Sequence, residues 1–232
     1  MSERETTNEL LSGLSGDESE ALNGAAEEVM LRRGALLSEA GEASPYVYFP
    51  TGGVLSLVGT TASGGTVEVA LVGNEGVASI SAVLGHHLLP FRVVTQVPGS
   101  AVRIPSALVA SLVSQCGQLH ERVLQYTDQV IAQVAQSAIC NRFHTARERL
   151  ARWLLMCADR ADTHELPLTH EFIACMVGGP RSAVTEAAAE LREAGAIDYR
   201  RGLVIIRDLE KLRALSCECY GVLQSDMPAA AS

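Results

Sequence analysis

The stretch Leu168-Thr169-His170-Glu171-Phe172-Ile173-Ala174-Cys175-Met176-Val177-Gly178-Gly179-Pro180-Arg181-Ser182-Ala183-Val184-Thr185-Glu186 reads as two short helices joined by a glycine turn. Thr169 is placed to cap the first helix, and Glu171 puts a negative charge in its first turn, where the helix dipole favours one. Ile173, Ala174 and Val177 recur at helical spacing, and Ala174 is small where two helices must cross. Gly178-Gly179 permit positive φ in a tight turn, and Pro180 opens the second helix because its missing N–H is no loss there. Val184, Ala187, Ala188 and Leu191 give that helix an apolar face, and Gly195 ends it. The pattern is that of a helix-turn-helix, a module that offers the N-terminal end of its second helix to base edges in the major groove. Arg181, Ser182, Thr185 and Glu186 lie at that end on the polar face.

Outward from this stretch, Ala196-Ile197-Asp198-Tyr199 and Leu203-Val204-Ile205-Ile206 read as paired strands around an Arg200-Arg201-Gly202 turn. A hairpin directly after a helix-turn-helix is a wing, and its two tip arginines are expected to meet phosphate. Upstream, residues 118–140 form a long helix with two apolar stripes: Leu119, Val123, Tyr126 and Val130, then Leu124, Ile131, Val134 and Ala138. Two stripes mean two surfaces to cover, one on the chain itself and one on a partner helix. The first stripe is assigned to a dimer interface. A helix over about 145–159 brings Leu150, Trp153, Leu154 and Cys157 to the C-terminal core, and another starts after Pro105.

Between about Gly34 and Pro105 the pattern changes to short strands: 46–49, 53–58, 66–72, 92–97 and 100–104. The separators are Gly41, Thr51-Gly52, Ser63-Gly64-Gly65, Gly73-Asn74-Glu75-Gly76 and Pro98-Gly99, a spacing that suggests an antiparallel sandwich or barrel. Residues about 7–30 read as one or two amphipathic helices through Leu10, Leu11, Leu14, Leu22, Ala26 and Val29.

The 232 residues are ample for two domains, and 47% hydrophobic with 19% charged residues is a globular composition. No apolar run is long enough to span a bilayer, and the start Met1-Ser2-Glu3-Arg4-Glu5 lacks a signal-peptide core, so a cytoplasmic location without membrane contact is expected. The net charge of −9 disfavours general nucleic-acid affinity. Glu165–Asp208 carries seven acidic residues against five basic, so DNA binding must rest on local placement of Arg181, Arg200 and Arg201, with help from Arg142 and Arg147. Six cysteines, at 116, 140, 157, 175, 217 and 219, show neither a CxxC pair nor zinc-type histidine spacing; no metal and no cofactor is expected. Most sit in apolar helical runs, as small hydrophobes. Cys217-Glu218-Cys219, near the C-terminus, is open to two readings: a redox or metal sensor, or a pair that is packed or merely exposed. No nucleophile elbow, phosphate loop or HExxH speaks for an enzyme.

In this order of parts the chain resembles the Crp/Fnr family of bacterial transcription regulators over nearly its whole length. The resemblance is most specific from Arg149-Leu150-Ala151-Arg152-Trp153-Leu154-Leu155 through the helix-turn-helix to the wing. Val47-Tyr48-Phe49-Pro50 and Gly52-Gly53-Val54 carry it more weakly in the strand region. It implies an α+β fold: a cyclic-nucleotide-binding-like antiparallel β-roll sensor (1–116), a central dimerisation helix (117–141) and a winged helix-turn-helix DNA-binding domain (142–232). It implies a homodimer on a palindromic double-stranded operator with half-sites ~34 Å apart, and contact with RNA polymerase. Thr169 corresponds to a phosphate-contacting position. A sensor or adaptor acting mainly through protein contacts is the alternative.

Departures from the family pattern carry information. Where cyclic-AMP-binding members place Gly-Glu and Arg-Ser pairs, this chain has Ala78-Ser79 and Leu89-Pro90; Val134-Ala135 replaces the central-helix hydroxyl pair. The pocket is therefore degenerate at Ser79, Leu89, Pro90, Val134 and Ala135, and its ligand is unknown. Arg92 and Arg103 are either surface strand residues or partners for a different anion. No cysteine precedes Cys116, against an N-terminal iron–sulfur cluster, and His86-His87 and His120 offer either haem ligands or ordinary loop and structural histidines. The family's familiar reading set of Arg, Glu and Arg becomes Arg181, Ser182 and Glu186. Arg181 suits a guanine O6/N7 edge and Glu186 a cytosine N4.

Overall fold

The computed structural model describes residues 8–86, 88–177 and 180–225. They divide into two compact units, one taking in the chain to Thr60 with Leu71–Asp128, the other Thr61–Ala70 with Gln129 onward.

The first unit is an antiparallel β-roll. Its elements are α1 (Gly16–Ala25), β1 (Glu27–Leu31), β2 (Leu36–Ser38), β3 (Tyr46–Thr60), β4 (Thr66–Val72), α2 (Ile80–Val83), β5 (Arg92–Pro105) and α3 (Ser106–Ser114). The sheet order is β1-β5-β3-β4, with β2 also on β5. Two expectations are corrected here. Ala26–Val29 does not continue a helix, because residues 27–31 pair with 99–103 as β1. Thr51-Gly52 and Pro98-Gly99 do not separate strands: β3 and β5 run through them with register shifts between Pro50 and Leu55. The cause is a glycine crossing. A Cβ on Gly53 would stand 2.6 Å from the Val97 carbonyl oxygen, and one on Gly99 would overlap the Gly52 carbonyl. Only glycines let the paired strands bend together this closely.

Next in sequence come α4 (Gln118–Phe143) and α5 (Ala146–Ala161). The division between the units falls within α4, at Asp128. In the first unit, Leu119, Val123 and Tyr126 are fully or almost fully buried within the single chain. Gly76 is the reason Tyr126 can lie so deep, since a Cβ there would overlap the Tyr126 ring. Arg122 donates to the backbone carbonyls of Glu9 (2.9 Å) and Leu10 (3.4 Å). The stripe expected to face a partner is thus spent on its own chain, and Val130 is buried as well. The large apolar side chains left exposed on α4 are Leu124, Ile131 (62%), Ile139 and Phe143 (74%).

The second unit is built on α5. Thr145 caps it in a reciprocal capping box with Glu148. Leu150, Ala151, Trp153, Leu154 and Leu155 are buried, and the Trp153 indole donates to Glu68 at 2.7 Å. Around it stand β6 (Glu165–Leu166), α6 (His170–Val177), α7 (Arg181–Glu193), β7 (Ile197–Arg200), β8 (Leu203–Ile206), α8 (Leu209–Ala214) and α9 (Cys219–Ser225). The three strands form a sheet of order β6-β8-β7. Cys217 and Cys219, read from sequence as lying near the chain's end, are buried in this unit. Among the described residues no helix is long and apolar enough to cross a membrane.

Candidate nucleic-acid interface

Thr169 caps α6 as expected: its hydroxyl accepts the Phe172 N–H at 3.2 Å. Gly178, Gly179, His87 and the Glu171 side chain lie outside the described residues. Pro180 stands at the N-cap of α7 with extended backbone, one position before the first helical residue. The far end of α7 closes in a Schellman pattern: Ala196 N–H donates to Leu191 (3.0 Å), Gly195 N–H donates to Arg192 (2.9 Å), and Gly195 has φ +73°.

Helix α7 is two-faced. Val184, Ala187, Ala188 and Leu191 are buried, whereas Arg181, Ser182, Thr185 and Glu186 are exposed. The Thr185 hydroxyl donates back to the Arg181 carbonyl at 2.9 Å, so it keeps only acceptor capacity for a base or water. Arg147, expected to help, pairs with Glu190 at 3.6 Å on this helix. Arg142 lies over the Phe143 ring, 5.5 Å from its centroid.

The wing is a two-residue hairpin. Arg200 pairs with Leu203, which leaves Arg201-Gly202 as the loop, with φ +39° and +81°. Positive φ at both positions is the type I′ geometry that matches strand twist. A Cβ on Gly202 would lie 3.5 Å from the Thr169 methyl, so the wing tip and the start of α6 are neighbours. Both tip arginines are exposed. Arg200 is partly engaged, since Asp198 Oδ2 accepts from Arg207 at 3.1 Å and from Arg200 at 3.3 Å. Arg207 and then the Tyr199 N–H hold the Asp198 carboxyl below its ordinary range.

The positions expected to line the pocket differ in character. Ser79 is buried at a left-handed φ of +67° before α2, and its hydroxyl has no hydrogen-bond partner among the described residues. Leu89 is buried and Pro90 exposed. The cavity lined by Leu57, Ser79, Leu89, Pro90 and Val93 measures about 10 Å³, room for one water at most. On α4, Val134 is half-buried and Ala135 exposed. Arg92 faces Glu39 at 3.0 Å and Arg103 faces Glu27 at 2.6 Å, so each already has a carboxylate. His120 Nδ1 stands 2.9 Å from the Val113 carbonyl, a structural role rather than an open ligand.

Outside this interface the fold gathers Cys140, His144, Cys217 and Cys219, with potential ligand atoms all within 4.8 Å of one another. The spacing of the cysteines led to no metal being expected, with Cys217 and Cys219 left open to a redox or metal role. No CxxC links the four; the local signals are Cys217-Glu218-Cys219, already open to a metal-sensing reading, and Cys140 with His144 four residues on, just past the end of α4.

Residues 148–215 match the family model of the Crp-like helix-turn-helix domain. Among solved structures, the chain is similar to a crp/fnr-family protein of Eubacterium rectale: 16% identity, 89% of this chain and 97% of that one, TM-score 0.67. It is similar to FixK2 of Bradyrhizobium japonicum: 17% identity, 83% and 98% covered, TM-score 0.66. A CRP/FNR-family transcriptional regulator of Thermus thermophilus gives 21% identity, 82% and 98% covered, TM-score 0.66. No curated protein matches the chain.

Proposed function

We propose that this chain, which has the fold of the Crp/Fnr regulators and a Crp-like helix-turn-helix domain over residues 148–215, is a homodimeric, sequence-specific DNA-binding transcription regulator. The observation that carries the reading is the surface made by α7 and the wing. Arg181, Ser182, Thr185 and Glu186 stand exposed on one face of α7, and the Arg200-Arg201-Gly202 tip adjoins Thr169. In this reading Arg181 and Glu186 address base edges, while Thr169, Arg200 and Arg201 hold phosphates. Residues 1–116 serve as the sensor, 117–141 as the dimerisation helix and 142–232 as the DNA-binding domain. The dimer seam runs along the exposed apolar side of α4 through Leu124, Ile131 and Ile139. The β-roll site no longer takes a cyclic nucleotide in the family's manner, which the 10 Å³ cavity and the carboxylate partners of Arg92 and Arg103 support. Contact with RNA polymerase belongs to the same reading and rests on the family resemblance.

Selection of binding sites from random duplex DNA tests it. The full-length protein should enrich an inverted repeat with half-sites about one helical turn apart. No enriched site would overturn the reading. A protein lacking residues 142–232 that keeps a protein partner would favour an adaptor instead.

A further inference from the structure

Cys140 near the end of α4, His144 just past it, Cys217 after α8 and Cys219 at the start of α9 form a four-point cluster. Cys140 and Cys219 are fully buried and Cys217 nearly so. Cys217 and Cys219 are buried and Glu218 is exposed in the segment where the chain turns into α9, with the Cys217 carbonyl accepting the Tyr220 N–H at 3.2 Å. The segment is fixed on both sides: Asp208 caps α8 through the Lys211 N–H at 3.0 Å, and the Tyr220 hydroxyl donates to Asp159 at 2.8 Å. Cys140 Sγ stands 3.6 Å from Cys217 Sγ, and Cys219 Sγ stands 3.5 Å from His144 Nδ1.

These two separations match edges of a tetrahedral site, and the other pairs lie within 4.8 Å. Zinc–sulfur bonds of about 2.3 Å and zinc–nitrogen bonds of about 2.0–2.1 Å place sulfurs about 3.8 Å apart, and sulfur about 3.5 Å from nitrogen. A disulfide would need the Cys140 and Cys217 sulfurs at about 2.0 Å. An iron–sulfur cluster divides its four ligands between two or more irons and needs the set spread wider.

The surroundings suit a bound dication. His144 Nε2 is 3.2 Å from the Glu218 carboxylate. An Nε2–H donating there leaves the Nδ1 lone pair toward the sulfurs, the carboxylate–histidine–metal arrangement. Arg152 is 7% exposed, donates to Met156 Sδ at 3.3 Å and has an Nε with no partner among the described residues. Three thiolates and a dication leave one negative charge, which the guanidinium offsets.

We propose that Cys140 Sγ, His144 Nδ1, Cys217 Sγ and Cys219 Sγ form a closed tetrahedral site for one zinc ion. The ion ties the segment after α8 to the end of α4, across the turn that leads into α5. Each thiol still protonated releases its proton to solvent as its Zn–S bond forms, so affinity falls in acid. With four protein ligands no position is left for substrate, and the role is structural. The site stands independently of DNA recognition.

The test uses the full-length protein purified under reducing conditions, with Zn²⁺ or Co²⁺ as probe. Elemental analysis should find about one zinc per chain after Zn²⁺ loading and desalting, and Co²⁺ should give the thiolate charge-transfer and visible bands of a tetrahedral site. Cys140→Ser and Cys219→Ser should lose the ion, while Cys116→Ser, exposed and outside the cluster, should keep it. Glu218→Gln alters only the exposed partner of His144 and should weaken zinc affinity by about 10–100-fold in competition with a chromophoric chelator. Reduced wild-type protein that retains no zinc would overturn the proposal. So would an octahedral cobalt spectrum, or zinc retention by folded Cys140→Ser and Cys219→Ser equal to wild type.

Discussion

Gly202 at the wing tip lies beside Thr169, the cap of the first helix of the helix-turn-helix: a Cβ on Gly202 would be in ordinary contact with the Thr169 methyl, at 3.5 Å. Space is therefore not what demands glycine here; the φ of +81° is. Gly202→Ala should cost about 1–2 kcal/mol from the left-handed backbone alone and lower the thermal midpoint. An unchanged midpoint would show that the hairpin relaxes to another turn.

Arg201 occupies the same left-handed region at φ +39°. Arg201→Gly should leave stability equal or higher while weakening DNA binding to all sequences alike. The slope of log affinity against log salt should fall by about one unit. A fall in melting temperature parallel to the affinity loss would give Arg201 a structural role instead.

Arg181→Ala should cost about 1–3 kcal/mol in operator binding and relax specificity at one position per half-site. Competition assays over all single-base variants of the selected site measure both. Retention of full specificity at every position would remove Arg181 from base readout.

Asp198 restrains Arg200 and Arg207. Its carboxyl is depressed first by Arg207, so its contribution to wing stability is present above the ordinary carboxylate range and is lost as pH falls through the lower folded value. Asp198→Asn should remove that acid-side dependence. It should also free Arg200 for phosphate, steepening the salt slope of DNA binding. An unaltered slope would mean that Arg200 does not reach the backbone.

On α4, Ile131→Asp should produce monomers in sedimentation with melting little changed, since Ile131 is exposed in the single chain. Val123→Asp should instead lower stability by several kcal/mol, because it buries an unpaired charge. Dimers that survive Ile131→Asp would exclude this side of the helix as the seam.

The helix-turn-helix and wing were legible because their signals are local: a capping threonine, a glycine past α7, the Arg200-Arg201-Gly202 turn between two β-branched or aromatic runs, and apolar residues at helical or alternate spacing. The strand region was legible as β structure for the same reason. Its continuity was not, because Pro98-Gly99 punctuates a turn in isolation and becomes a bend only when Gly52-Gly53 lies across from it. Periodicity likewise found both stripes of α4 without telling which faces inward; that depended on Gly76 leaving room for Tyr126. Sequence left Arg92 open between a surface strand residue and an anion partner; its pairing with Glu39 came only with the fold. The four-ligand cluster lay furthest from the sequence's reach, since Cys140 and Cys217 are 77 positions apart. Short-range spacing carries helix caps, turns and faces, because those energies depend on residues within a few positions of one another. Which buried charge meets which, and which thiols share a site, is decided only when distant segments pack.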